Sequence, residues 1–254
     1  MILCIDVGNS NTVIALAEGE DILDTWRIRT ERDMTPDEFG IMSSLMLKGK
    51  RVTDIIISSV VPVLNHNIRE ACLRYHEKDP VIVTHDMNMG ISISYEELDK
   101  LGTDRIVNAA GAYARYKKGV TIIDFGTATT FDYVSPEGVY MGGAISPGIR
   151  LSADALFEKA YKLPRIERFF LPERVLARNT IESINTGIVS GYAFLVDGMV
   201  QRIRSETGDK AQIVIATGGL AHLMKDVCRS IDIVDELLTL YGLTIIHRIN
   251  KKEC

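Results

Sequence analysis

Directly after the apolar run Ile2–Leu3–Cys4–Ile5, the chain reads Asp6-Val7-Gly8-Asn9-Ser10-Asn11-Thr12, followed by Val13-Ile14-Ala15-Leu16. An Asp at a strand end can hold Mg²⁺, directly or through water, because Mg²⁺ takes oxygen ligands and keeps several waters. Gly8 lets a turn present backbone N–H groups to phosphate oxygens. Asn9, Ser10, Asn11 and Thr12 add short polar side chains. Taken alone, the pattern also fits a plain hairpin turn that contains an Asp. It does not stand alone, because Val120–Thr121–Ile122–Ile123 leads into Asp124-Phe125-Gly126-Thr127-Ala128-Thr129-Thr130 and then Phe131-Asp132-Tyr133-Val134. Both passages are a buried-strand pattern, D-x-G-[NT]-x-[NT]-T and a second β-rich stretch. Two such turns, one from each half of a duplicated chain, are expected to face one another across a nucleotide.

A third group is Leu101-Gly102-Thr103-Asp104-Arg105, just ahead of a helical pattern. Thr103 or Asp104 there suits an N-cap. The same residues suit catalysis: Asp104 accepts the proton of a substrate hydroxyl and Arg105 holds an anionic group. The neighbouring cation is expected to lower the Asp104 pKa and keep it ionised. Gly142-Gly143-Ala144-Ile145-Ser146-Pro147-Gly148 makes a glycine-rich corner suited to close backbone approach, to a ligand or only to its own fold. Thr217-Gly218-Gly219 follows a strand and is read as a weak adenosine contact or a simple strand-end turn.

The elements that must position these residues alternate. In the first half, strands are expected at residues 21–29, 54–60 and 81–83, and helices at 36–47, at 62 to about 76 with Pro62 in its first turn, and at 102–116. In the second half, strands are expected at 139–145 and 212–216, and helices at 148–159, 179–204 and 234–248. On the long helix Ile184, Ile188, Gly191 and Leu195 form one stripe, while Gly187, Ser190 and Gly191 would let another helix come close, within the chain or from a partner. The pattern is α/β, two related lobes at residues 1–117 and 118–254 with a central cleft, the second carrying the long helix.

Composition narrows the function. The chain has 254 residues, 46% hydrophobic and 25% charged, with a net charge of −5. These are ordinary globular values, and the acidic balance argues against a nucleic-acid partner. The longest mainly apolar stretch, residues 55–64, falls far short of the ~20 residues of a membrane span. The N-terminus reads as a first strand and not a signal peptide, so the cytoplasm is expected. Cys4, Cys72, Cys228 and Cys254 form no C-x-x-C pair and are read as reduced thiols; the five histidines have no zinc-ligand spacing. There is no G-x-x-x-x-G-K-[ST], no G-x-G-x-x-G after a strand and no G-x-S-x-G, which argues against a P-loop enzyme, a dinucleotide fold and a serine hydrolase.

Over Asp6 to about Gly219 the sequence resembles the type III pantothenate kinases. The resemblance rests on D-x-G-N-[TS], Ser58-Ser59-Val60-Val61-Pro62, G-x-D-R, D-x-G-T-A and G-G-x-I-x-P-G in family order. It implies a duplicated actin-like fold (the acetate kinase/Hsp70/actin superfold, ribonuclease H-like), a homodimer, and ATP-dependent phosphorylation of pantothenate with Mg²⁺ and a monovalent cation, K⁺ or NH₄⁺. It implies Asp104 as the catalytic base, and Tyr95, Gly102, Thr103, Asp104 and Arg105 as pantothenate contacts, with Thr180 supplied by the partner subunit. It implies an ATP loop of Asp6, Val7, Gly8, Asn9, Ser10, Asn11, Thr12 and Val13, with Thr127 also touching ATP. Asp124 would hold the monovalent cation and Asp6 the Mg²⁺ through phosphate. Ser10 and Thr103 replace the more usual Thr and Ala, and Glu96–Lys100 lacks a Pro often found there, which weakens the alignment of Tyr95. The competing readings are a kinase for another small hydroxylated substrate on the same fold, a non-catalytic nucleotide-binding regulator, and an actin-like filament protein, for which the chain looks short.

Overall fold

The computed structural model describes residues 1–251; Cys254, one of the four thiols above, lies outside them. The chain divides into two compact units, Met1–Arg115 with the segment from Leu237 onward, and Tyr116–Glu236.

The first unit opens with β1 (Ile2–Val7), β2 (Asn11–Glu18) and β3 (Asp21–Arg29), an antiparallel meander. Helix α1 (Pro36–Leu47) begins at a reciprocal capping box, in which Thr35 accepts from the Glu38 N–H and Glu38 accepts from the Thr35 N–H. Next come β4 (Asp54–Ser59), α2 (Pro62–His76) with Pro62 in its first turn, and the short strands β5 (Val81–Ile82) and β6 (Ser92–Ile93). Helix α3 (Thr103–Tyr116) follows. β4 runs parallel to β1, so the sheet order is β3-β2-β1-β4-β5. Leu3, Ile5, Ile14, Leu16, Ile55 and Ile57 form its core with Phe39, Leu64 and Ile68 from α1 and α2.

The second unit repeats the plan. β7 (Val120–Phe125), β8 (Ala128–Val134) and β9 (Val139–Pro147) form an antiparallel meander, α4 (Ile149–Lys159) and α5 (Thr180–Thr207) follow, and β10 (Ile213–Thr217) returns parallel to β7. Helix α6 (Ala221–Val227) leads to β11 (Ile233–Val234). The order β9-β8-β7-β10-β11 matches β3-β2-β1-β4-β5 strand for strand. The duplicated D-x-G turns therefore occupy equivalent hairpins, β1–β2 and β7–β8.

Three expectations change. The final helix, α7 (Leu238–Lys251), was assigned to the second lobe but packs on β1, β4 and β3 of the first unit. Leu240 to His247 are all buried. Burial extends to its polar members Thr244 and His247, and nothing in the local pattern names the sheet the helix covers. It starts at Leu238, because Ile233–Val234 are spent on β11. On α5 the fully buried stripe is Asn185, Val189, Tyr192, Ala193, Val196 and Val200, while Ile184 and Ile188 are partly buried beside it and Gly191 is exposed.

Candidate active site

Asp6 lies near the end of β1, opposite Val13 on β2 and beside Ser58 on parallel β4. The loop after it places Asn9, Ser10 and Asn11 in solvent. Two of its members serve the turn itself. The Gly8 N–H donates to the Asn11 carbonyl at 3.1 Å, so it closes the hairpin. The Thr12 hydroxyl is buried against that of Thr30 at 2.9 Å, and Thr30 donates to the Gly8 carbonyl at 2.8 Å. Thr30 was not singled out from the sequence, since only the β2–β3 meander brings it under the turn. Val7 is buried in the core and Val13 is half-buried, so what the loop offers a ligand is the Asp6 carboxylate and the exposed rim of residues 9–11.

Asp104 reaches the same edge of this sheet from helix α3. The Thr103 hydroxyl donates to the Ser59 carbonyl at 3.2 Å and lies 3.4 Å from Ser58 Oγ, the residue paired with Asp6. Thr103 thus ties the start of α3 to the ends of β1 and β4. Asp104 Oδ1 accepts the Arg105 N–H at 2.8 Å, satisfying one of the first-turn N–H groups, where the helix dipole also favours a carboxylate. Arg105 is 6% exposed, so its guanidinium is an almost desolvated cation. A ring nitrogen of His85, Nε2, donates to the Leu101 carbonyl at 2.6 Å and pins the approach to Gly102. Asp86 next to it is held below the usual carboxylate range, chiefly by the Thr84 hydroxyl. Ser58 enters the sequence reading only within the Ser58–Pro62 motif, without a role of its own, and His85 has no role there because a loop His carries no spacing signal.

In the second unit Asp124 sits near the end of β7, opposite Thr130 on β8 and Thr217 on β10. Gly218, just past β10, has φ +88°, and a Cβ there would lie 2.5 Å from Asp124 Oδ1. A carboxylate with the space beside it kept clear by glycine suits a monovalent cation that takes one carboxylate and neutral oxygens. Among the described residues no three His, Cys, Asp or Glu side chains gather to cage a divalent ion. Thr127 is exposed, and its carbonyl accepts the Gly148 N–H at 3.0 Å, tying the end of β9 to this turn. The Gly142–Gly148 corner is built partly for its own sheet, since a side chain on Gly143 would collide with the Phe131 carbonyl.

Tyr95 is 40% exposed, between β6 and a 3₁₀ turn at Leu98–Lys100. Thr180 is the exposed first residue of α5, whose N-cap Asn179 accepts the Glu182 N–H at 2.9 Å. Thr180 borders an open groove of about 620 Å³ lined by Leu156, Arg178, Ser183 and Gly187, among others. Among the described residues outside the helix's own backbone, nothing comes within 4 Å of where side chains on Gly187, Gly191 or Gly198 would be, so these glycines serve no close contact there. Among the described residues, no helix is long and apolar enough to cross a membrane.

A sequence model of the type III pantothenate kinase family matches residues 2–202. A type III pantothenate kinase of Syntrophobacter fumaroxidans is 49% identical over 257 residues, 99% of each chain, and one of Syntrophus aciditrophicus is 46% identical over 255 residues, 98% of this chain and all of that one. Solved structures with the same fold include a Baf family transcriptional activator of Campylobacter jejuni (TM-score 0.59, 18% identity, 98% of this chain and 99% of that one). Component A of the Acidaminococcus fermentans (R)-2-hydroxyglutaryl-CoA dehydratase is another (TM-score 0.56, 15% identity, 99% and 98%). A ROK hexokinase of Thermus thermophilus is a third (TM-score 0.51, 11% identity, 100% and 99%). These structural likenesses speak to the fold alone, which is the duplicated actin-like one.

Proposed function

The chain belongs to the type III pantothenate kinase family, and we propose that the residues described above divide among them the work of its reaction. That reaction is transfer of the ATP γ-phosphoryl group to the terminal hydroxyl of pantothenate, which opens coenzyme A synthesis. The observation that carries the assignment of roles is the Asp6–Ser58–Thr103–Asp104 connection, which binds the phosphate-type turn and the acid–arginine pair to one edge of one sheet.

Asp104 takes the hydroxyl proton as the acceptor oxygen bonds to the γ-phosphorus and the bond from that phosphorus to ADP breaks. The first helical turn supports the carboxylate from behind, and buried Arg105 holds the pantothenate carboxylate, a pairing favoured by low solvent exposure. Gly102, Thr103 and Tyr95 complete the pantothenate contacts. Asp6 and the exposed rim Asn9, Ser10 and Asn11, together with Thr127, hold ATP, while Val7, Gly8, Thr12 and Val13 shape the turn that presents them; Asp124 would hold the monovalent cation, K⁺ or NH₄⁺. Asp6 would stand nearest a Mg²⁺ arriving with the nucleotide, which when bound would supply charge neutralisation for a transfer that depends mainly on positioning and electrostatics.

A homodimer is part of this proposal. The face of α5 that bears Gly187, Gly191, Phe194 and Gly198 is exposed, with Phe194 68% accessible. A second copy packing there would cover it and deliver its Thr180 to the pantothenate site. A cytoplasmic location also belongs to the proposal, in keeping with the buried, unpaired thiols Cys4, Cys72 and Cys228. The test is ADP release coupled to NADH oxidation, with ATP, Mg²⁺ and pantothenate, in K⁺ or in Na⁺ alone. Pantothenate-dependent turnover that requires K⁺ or NH₄⁺ supports the reading. Turnover with other small alcohols and none with pantothenate would overturn it.

A further inference from the structure

Between α4 and α5, residues 160–179 form neither helix nor strand. A strap of that length inside a compact unit calls for an explanation. It is anchored at two levels. Ile166 and Phe169 enter the core of the second unit, with Arg150 over the Phe169 ring. Beyond them Phe170, Leu171, Val175 and Leu176 face outward, and here the strap is held by polar groups on α5. Asn185, fully buried, imitates a strand: its Nδ2 donates to the Phe170 carbonyl at 2.9 Å, and its Oδ1 accepts the Phe170 N–H at 3.1 Å. One turn position on, the Thr186 hydroxyl donates to the Arg174 carbonyl at 3.3 Å. The strap then passes through Ala177, Arg178 and Asn179 along the groove wall and ends at Thr180.

A buried Asn on the core stripe of a helix, among Val189, Val196 and Val200, is costly unless its amide is satisfied. An apolar residue would pack the α5 core at lower cost. What the amide secures is the path of a backbone that has no secondary structure to fix it. We infer that Asn185, seconded by Thr186, is a positioning residue: by clamping the strap at Phe170 it sets where Arg178, Asn179 and Thr180 stand. Its effect on catalysis is felt in the pantothenate site of the other subunit. The inference rests on the proposed delivery of Thr180 across the dimer.

The experiment uses heterodimers isolated by two different affinity tags after co-expression. Asn185→Ala homodimers are expected to show a KM for pantothenate raised roughly 10- to 100-fold, with the KM for ATP little changed, since small displacements of a positioning group have effects of that size. Asn185→Asp keeps the acceptor for the Phe170 N–H and loses the donor, and is expected to fall between. The decisive species pairs Asn185→Ala with Asp104→Asn. One of its two sites then combines an intact Asp104 with a correctly placed Thr180, so the heterodimer should recover about half of wild-type turnover at wild-type KM. The control pairs Thr180→Ala with Asp104→Asn. If the control recovers and the Asn185→Ala pair does not, Asn185 acts within its own subunit and the inference is overturned. If neither recovers, the delivery of Thr180 across the dimer is itself wrong and the inference falls with it.

Discussion

Replacing Gly218 by Ala isolates the space beside Asp124. The residue has φ +88°, and its added Cβ would lie 2.5 Å from Asp124 Oδ1 and 2.8 Å from the backbone of Phe125. Two costs add. A left-handed backbone costs an L-residue about 1–2 kcal/mol, and a methyl forced into packed surroundings costs typically 1–3 kcal/mol. The sum, about 2–5 kcal/mol, is a large part of the ~5–15 kcal/mol that stabilises an ordinary domain. At roughly 2–4 °C per kcal/mol for a chain of this size, the melting temperature should fall about 4–20 °C. Backbone atoms on β7 yield less readily than a side chain, so the Asp124 carboxylate is the group that moves. The activity readout is therefore the K⁺ concentration for half-maximal turnover in the ADP-release assay, run below the variant's melting range. It should rise at least tenfold, while the KM for pantothenate stays within about twofold. A variant that melts with the wild type and needs no more K⁺ would refute both the steric argument and the placing of the cation at Asp124.

Other perturbations test the first unit. Asp104→Asn keeps the size of the side chain and an oxygen for the Arg105 N–H, and should cost about 10²–10⁴-fold in kcat with ATP binding retained; near-normal kcat would remove Asp104 from the chemistry. Arg105→Gln should raise the KM for pantothenate at least tenfold, and an unchanged KM would mean that another group holds the substrate carboxylate. His76, hydrogen-bonded to Ser43 at 2.8 Å, is held below its ordinary pKa by burial. A lowered histidine favours the neutral form in the folded state, so its contribution to stability is complete above about pH 6.5 and is lost as the pH falls below that. Between pH 7.5 and 5.5 the melting temperature of the wild type should drop more than that of His76→Gln, which does not titrate there; parallel curves would sink this assignment.

The duplication was legible because turns and strands are written locally. Asp6-x-Gly8 and Asp124-x-Gly126 stand out as residue types at fixed spacing, and each proves to close the first hairpin of a meander with the same strand order. Starts of helices were legible for the same reason: Pro36, Pro62 and Asn179 are local signals. What escaped is what depends on long-range pairing. The Thr12–Thr30 contact uses one loop member as a brace, and the Gly8 N–H, expected to face phosphate, is taken by Asn11. The stripe on α5 was read one position away because Asn185 looks like a surface residue until the strap it holds is in view.

The placement of α7 follows from what α3 requires. Asp104 stands on the first turn of α3, and a base works only if the helix behind it keeps its place to within fractions of an ångström. Along α3, Asn108 accepts a hydrogen bond from Thr239 at 2.7 Å, and the Arg115 guanidinium lies 3.9 Å from the centre of the Tyr241 ring. Between them the helices touch backbone to backbone, for a Cβ on Gly111 would lie 2.9 Å from Gly242 Cα and 2.9 Å from the Leu238 carbonyl. Such a crossing leaves no side chains free to repack, so it holds one register. Residues that lie more than a hundred positions apart in sequence thus share one structural task. Helix α7 is committed to the unit that bears the proposed base, and the boundary drawn from the repeat alone misses this because α3 takes its rigid support from α7.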